Sequence, residues 1–177
     1  SPLMSGFLIQ NTPYVDPAGN VYLPRVQNNA AVDFLYSFAD SGSGFTQNWR
    51  VPSLGGGAAA EWGVGLDGSI YNLIGTGAPN TARLQRLDPE SGAVLNESAP
   101  IQADFFQIRM AVDSRGVLFV STGAFANGRV FSFNPDLTER WSIPVPNLNQ
   151  GAPPIGTDGT LIIASTGANS VRAYRTE

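Results

Sequence analysis

The chain has 177 residues, 42% of them apolar, with only 14% charged against 20 Gly and 13 Pro; this balance predicts one all-β core of many short strands and tight turns. A net charge of −4 and a sequence pI of about 4.7, with no basic run, argue against a nucleic-acid backbone or an anionic membrane surface as partner. Cys, His and Lys are all absent, which excludes disulfides, Ser-His-Asp triads, Cys-His dyads, His- or thiolate-ligated metals, Schiff-base lysines and P-loop lysines.

The first Asp/Gly turn, Asp16-Pro17-Ala18-Gly19, is followed by the strand pattern Val21-Tyr22-Leu23. Phe34-Leu35-Tyr36-Ser37-Phe38 then reads as a further strand and Trp49-Arg50-Val51-Pro52 as another. The order returns as Asp67-Gly68, Ile70–Ile74, Arg83–Leu87 and Val94-Leu95, and again as Asp113–Gly116, Val117–Val120, Arg129–Phe133 and Trp141–Pro144. A fourth round opens with Asp158-Gly159, Leu161–Ala164 and Val171–Tyr174. Apolar and polar positions alternate within the third strands, as in a sheet with one packed face, and the Asp-Gly dipeptides suit two-residue hairpin loops. Gly-Thr-Gly-Ala at 75–78 and Ser-Thr-Gly-Ala at 121–124 and 165–168 follow three of the second strands. No apolar run approaches the roughly 20 residues of a membrane-spanning helix, so no membrane insertion is expected.

The turn glycines Gly19, Gly68, Gly116 and Gly159 stand 49, 48 and 43 residues apart, a period in the range of propeller blades and too long for ankyrin or leucine-rich repeats. Four antiparallel strands per repeat, with Trp on the outermost, resemble a β-propeller of about four four-stranded blades. The segment Arg86-Leu87-Asp88-Pro89-Glu90-Ser91-Gly92-Ala93-Val94-Leu95 resembles the pyrroloquinoline-quinone-like (quinoprotein-like) repeat, with Leu95 where the family carries Trp and with Trp49 and Trp141 in that slot elsewhere. Repeats fall at residues 11–54, 61–100, 107–147 and 151–177, with residues 1–10 available to complete the last blade. The expected architecture is either a closed small ring or half of a larger seven- or eight-bladed ring, the latter completed by a homodimer.

Two features invite a chemical reading. Asp16, Asp113 and Asp158 recur in oxygen-rich turns, but each turn offers one carboxylate where calcium needs six to eight oxygens, and a turn Asp ordinarily bonds its own backbone. The connections between repeats, with those after the second strands, gather Glu61, Trp62, Asp104, Phe105, Phe106, Asn80, Asn127, Asn149, Gln150 and Asn169 toward one face. Aromatic rings among amides suit a sugar, a peptide or a protein surface; the plain alternative is that the rings cap the core between blades. The resemblance implies a non-catalytic scaffold in an extracytoplasmic setting, whose loop face takes a protein or, alternatively, a glycan. A segment of a quinone-dependent oxidoreductase is the third reading. No cluster matches that family's quinone or Ca²⁺ site, so no cofactor, metal or catalytic residue is assigned.

Overall fold

The structure is a computed structural model that describes residues 13–25, 32–54, 62–105, 108–122, 126–146, 153–165 and 169–175. These form 15 strands and no helix. Sheet I contains β1 (Tyr14–Val15), β2 (Asn20–Arg25), β3 (Val32–Asp40) and β4 (Phe45–Leu54) in sequence order. Sheet II repeats this with β5 (Gly63–Val64), β6 (Ile70–Gly75), β7 (Thr81–Leu87) and β8 (Val94–Glu97), while β9 (Ile101–Gln102) also pairs with β7. Sheet III contains β10 (Arg109–Val112), β11 (Leu118–Ser121), β12 (Arg129–Phe133) and β13 (Glu139–Pro144). The described part of sheet IV is β14 (Leu161–Ser165) and β15 (Ser170–Tyr174), with Ile155 bridging to Leu161 in the place of a first strand. All pairings are antiparallel.

The four Asp/Gly turns join first to second strands, as expected, but they are three-residue loops. In each, the residue that opens the turn donates its N–H to the carbonyl four residues on, and the glycine three residues on donates back at 2.9–3.0 Å. Only that glycine takes a positive φ, between 79° and 86°, the geometry of a tight turn closed by a glycine bulge; a two-residue type I′ turn would need two such residues. The carboxylate reaches one common target by two routes. Asp16 and Asp113 open their turns, and their Oδ1 atoms accept the N–H of Asn20 and Val117 at 2.9 Å. Asp67 and Asp158 sit two residues later, and their Oδ1 atoms accept the N–H of Ser69 and Thr160 at 3.0 Å. In that second form the opening residue is Gly65 or Gly156, where a Cβ would lie 2.6 or 2.8 Å from the carboxylate oxygen.

Successive sheets bury their facing sides against one another, because a four-stranded sheet cannot cover its faces by itself. Tyr22, Leu35, Trp49, Trp62, Ile70 and Leu87 close the space between sheets I and II. A larger cluster around Leu73, Leu84, Met110, Leu118, Phe131 and Leu137 joins II to III. Val117, Phe119, Val130, Leu161 and Ile163 join III to IV.

The junction between I and II contains a specific lock. Trp49, 7% exposed, lays its indole on Gly92 of the β7–β8 turn, where a Cβ would fall 2.8 Å from the ring, and donates Nε1–H to the Pro89 carbonyl at 2.9 Å. Register corrects the sequence alignment at the next junction. Trp49 pairs with Ser37, Asn96 with Arg86 and Trp141 with Ser132, each beside a bulge. The residue in the Trp slot of sheet II is therefore Asn96; Leu95 is the bulge residue and lies 57% exposed. Asn96 Nδ2 donates to the Asp136 carbonyl of the β12–β13 turn. There Leu137, at φ 65°, takes the left-handed position that Gly92 holds one sheet earlier and is only 2% exposed. A large ring over a glycine at one junction is replaced by a small amide beside a leucine at the next. Leucine in this conformation costs about 1–3 kcal/mol, offset by burial of its side chain.

Gly19 and Gly92 share the left-handed backbone, but only Gly92 has an indole where a side chain would go. In urea denaturation followed by far-UV circular dichroism, Gly19→Ala is expected to lose about 1 kcal/mol and Gly92→Ala about 2–4 kcal/mol; equal losses would mean that the Trp49 ring yields freely. Leu137→Gly is expected to lose about 2 kcal/mol net despite relieving the backbone, and Asn96→Trp added to it to restore about half. Strict additivity of the two substitutions would refute the exchange of bulk across this junction.

Candidate functional site

Because the strands alternate in direction, the Asp/Gly turns and the β3–β4, β7–β8 and β12–β13 turns share one end of the sheets. The loops after the second strands and the connections between sheets share the other.

At the turn end the aspartates are engaged locally. Asp16 accepts from Ala18 N, Asn20 N, Asn20 Nδ2 and the Tyr22 hydroxyl at 2.9–3.0 Å. Asp67 takes Ser69 N and Oγ and pairs with Arg86 at 3.2 Å. Asp113, buried at 8% exposure, takes Arg115 N and Val117 N and a two-pronged contact from the Arg115 guanidinium at 2.8 and 3.0 Å. Asp158 takes Thr160 N and Oγ1. Partial burial pushes the Asp16, Asp67 and Asp113 carboxyls up, but these hydrogen bonds and the arginines outweigh it and hold all three below the usual carboxylate range. The Thr160 N–H and hydroxyl hold Asp158 down, and the Ser91 and Thr138 groups do the same for Asp88 and Asp136 in the other turns. Burial, then the Asp16 carboxylate, drives the Tyr22 phenol far up, so it remains a donor. Grooves of about 570 Å³ and 190 Å³ run between these turns, but their carboxylates are engaged as described. Among the described residues no three His, Cys, Asp or Glu side chains gather as a metal site would require.

The loop end differs. Between sheets II and III a cleft of about 420 Å³ is lined by Asn80, Gln102, Ala103, Asp104, Ala126, Asn127, Gly128, Arg129 and Pro144. Asp104, in the connection between the sheets, ties its two sides together: Oδ1 accepts Asn80 Nδ2 and Oδ2 accepts the Asn127 N–H, both at 3.2 Å. Asn80 stands at φ 53°, a conformation that Asn tolerates better than most residues, and its carbonyl accepts the Ala103 N–H at 3.1 Å. The Gly128 carbonyl accepts the Val145 N–H at 2.9 Å, which fixes the opposite wall. Buried Ala103 and Gly128 form an uncharged floor. Arg129 enters at the start of β12, donating Nη2–H to Ser142 Oγ at 2.9 Å, with its guanidinium 5.7 Å from the Phe131 ring centre.

Of the residues singled out in the sequence, Asn80, Asp104 and Asn127 are brought together here. Trp62 is not on this surface: at 8% exposure it packs with Tyr14 and Tyr22 between sheets I and II, because the apolar end of the connection must cap that junction. Phe105 is half-buried against the core joining II to III. Asn169 is exposed at φ 45° in the β14–β15 turn, apart from the cleft. Glu61, Phe106, Asn149 and Gln150 lie outside the described residues. Gln102 and Arg129 were not singled out. The signal for Arg129 was available only by comparison between repeats, since Arg83 and Arg129 hold equivalent positions in the third strands.

No established family matches the chain, and no curated protein matches it. Among solved structures, the crystal structure of a protein from Lactobacillus plantarum shares the fold, with a TM-score of 0.56 and 12% identity over 92% of this chain and 54% of that one. The chain thus spans about half the length of that protein.

The depressed turn carboxyls carry a pH consequence. Folded, they ionise below their unfolded value of about 3.9, so the folded chain holds fewer protons near that pH. Their contribution is complete above it and is lost as the pH falls through the folded values. Thermal midpoints are expected to be level from about pH 7 to 5 and to drop steeply below about pH 4. Asp113→Asn is expected to cost about 1–2 kcal/mol at neutral pH, with the gap to the native chain narrowing toward about pH 2; a constant gap would show that ionisation of Asp113 is not what stabilises its turn.

Proposed function

We propose that the four sheet units are blades of a β-propeller of the pyrroloquinoline-quinone-like repeat type, and that the chain is a non-catalytic binding scaffold for a protein partner at its loop end. Equivalent turns and registers in successive units, together with Trp49 docked on the following unit's turn, support the propeller reading. The binding reading rests on one contrast. The Asp/Gly-turn aspartates spend their hydrogen bonds within their own sheets, whereas the loop end holds open a polar cleft built from Asn80, Gln102, Asp104, Asn127 and Arg129. Amides offering both donors and acceptors on a fixed frame suit the main chain of an extended peptide segment.

The same cleft favours a peptide over a sugar. A sugar face is commonly read by an aromatic platform, and among the described residues the rings near this end, Trp62 and Phe105, are packed into the junctions between sheets. Displayed peptide libraries are expected to enrich on the native chain and on Asp158→Ala, altered at the turn end, but not on Asn127→Arg, which fills the cleft. A glycan array is expected to remain silent. Glycan binding lost in Asn127→Arg, with no peptide enriched, would replace this reading with a lectin-like one.

A further inference from the structure

Sheets II and III place an arginine at the same point of the repeat and treat it differently. Arg83 and Arg129 each precede the residue that pairs across the second strand, Leu84 with Leu73 and Val130 with Ser121. On the outer side, Glu97 pairs with Gln85 and Ser142 pairs with Phe131, so Glu97 and Ser142 are also equivalent. In sheet II the arginine is satisfied by its neighbour: Arg83 Nη1 meets Glu97 Oε1 at 2.9 Å. In sheet III the carboxylate has become a hydroxyl, and Arg129 makes one 2.9 Å bond to Ser142 Oγ. Among the described residues Arg129 has no ion pair, in contrast to Arg83, Arg86 and Arg115. Side chains two apart on a strand share a face, so Arg129 lies on the side of Phe131 and Phe133, which pack against sheet II, and it lines the cleft.

The geometry points to Arg129 as the anchor for a carboxylate supplied by the ligand, namely an acidic side chain of a peptide lying in the cleft between sheets II and III. This rests on the protein-binding reading above and narrows it. A guanidinium standing 5.7 Å from an aromatic ring centre, with one of its five N–H groups spent on Ser142, keeps a fork free for two parallel N–H···O bonds. Asp104, tied to Asn80 and Asn127, disfavours a second acidic group beside it and leaves that part of the ligand to neutral main-chain contacts.

The test uses the side-chain Nε–H resonances of the ten arginines, followed during titration with the blocked pentapeptide Gly-Gly-Asp-Gly-Gly, its Asn counterpart and D-glucuronate. A saturable shift of Arg129 with the Asp peptide is expected, weakened by added salt, with none from the Asn peptide. Arg129→Gln is expected to lower affinity about tenfold or more, and Arg129→Lys to recover only part of it. Ser142→Glu rebuilds the sheet II arrangement in sheet III; it is expected to abolish the response while Arg129 remains in place. Equal response to the Asp and Asn peptides, or an unchanged response in Ser142→Glu, overturns the anchor. If the peptides move Ala103 and Asn127 amides but not Arg129, peptide binding stands and the carboxylate assignment falls. A response to glucuronate alone overturns the peptide source, and no response to any probe removes both readings.

Discussion

A four-stranded antiparallel sheet has two faces and covers neither, so each unit depends on how its neighbours close over it. The chain meets this requirement with three apolar junctions and a lock from an outer strand to the next unit's turn. In the first junction the lock is the Trp49 indole on Gly92 with a bond to Pro89; in the second it is Asn96 bonded to Asp136 beside buried Leu137. The large side chain comes from the outer strand at the first junction and from the turn at the second. An indole can approach a backbone only at glycine, and a leucine can occupy a left-handed position only where its burial offsets the strain.

The Asp/Gly turns serve the same end by holding first and second strands in register. A carboxylate oxygen on the N–H four residues past the turn's opening residue is reached from either of two positions. Moving the Asp two residues later requires Gly65 or Gly156 at the opening, because a Cβ there would strike the carboxylate. Satisfied in this way, these aspartates are structural. These groups tie stability to acidic pH, and the proposed binding site lies at the opposite end.

Much of the architecture was legible in the residues. Strand order, the equivalence of the four turns and the packing role of Trp49 follow from local patterns repeated at a fixed period. So did three members of the cleft, since Asn80, Asp104 and Asn127 lie in loops that strand alternation sends to one end. Trp62 misled because aromatic character in a connecting loop is the same signal whether the ring faces solvent or caps a core. Leu95 misled because a bulge shifts register by one residue without leaving a mark in composition.

The sequence by itself determined the recurrence of the units, the position of each Asp/Gly turn and the strand character of the segments that follow them, because these depend on φ/ψ preferences and alternation within a few residues. Only the tertiary structure decided which side chains meet across a junction. Asn96 reaches Asp136 and Trp49 reaches Pro89 across 40 residues of chain. Arg129 acquires its significance from Ser142 standing where Glu97 stands in the preceding sheet. Those relations depend on strand register and on which face of one sheet closes over the next, and both are settled by packing between segments distant in sequence.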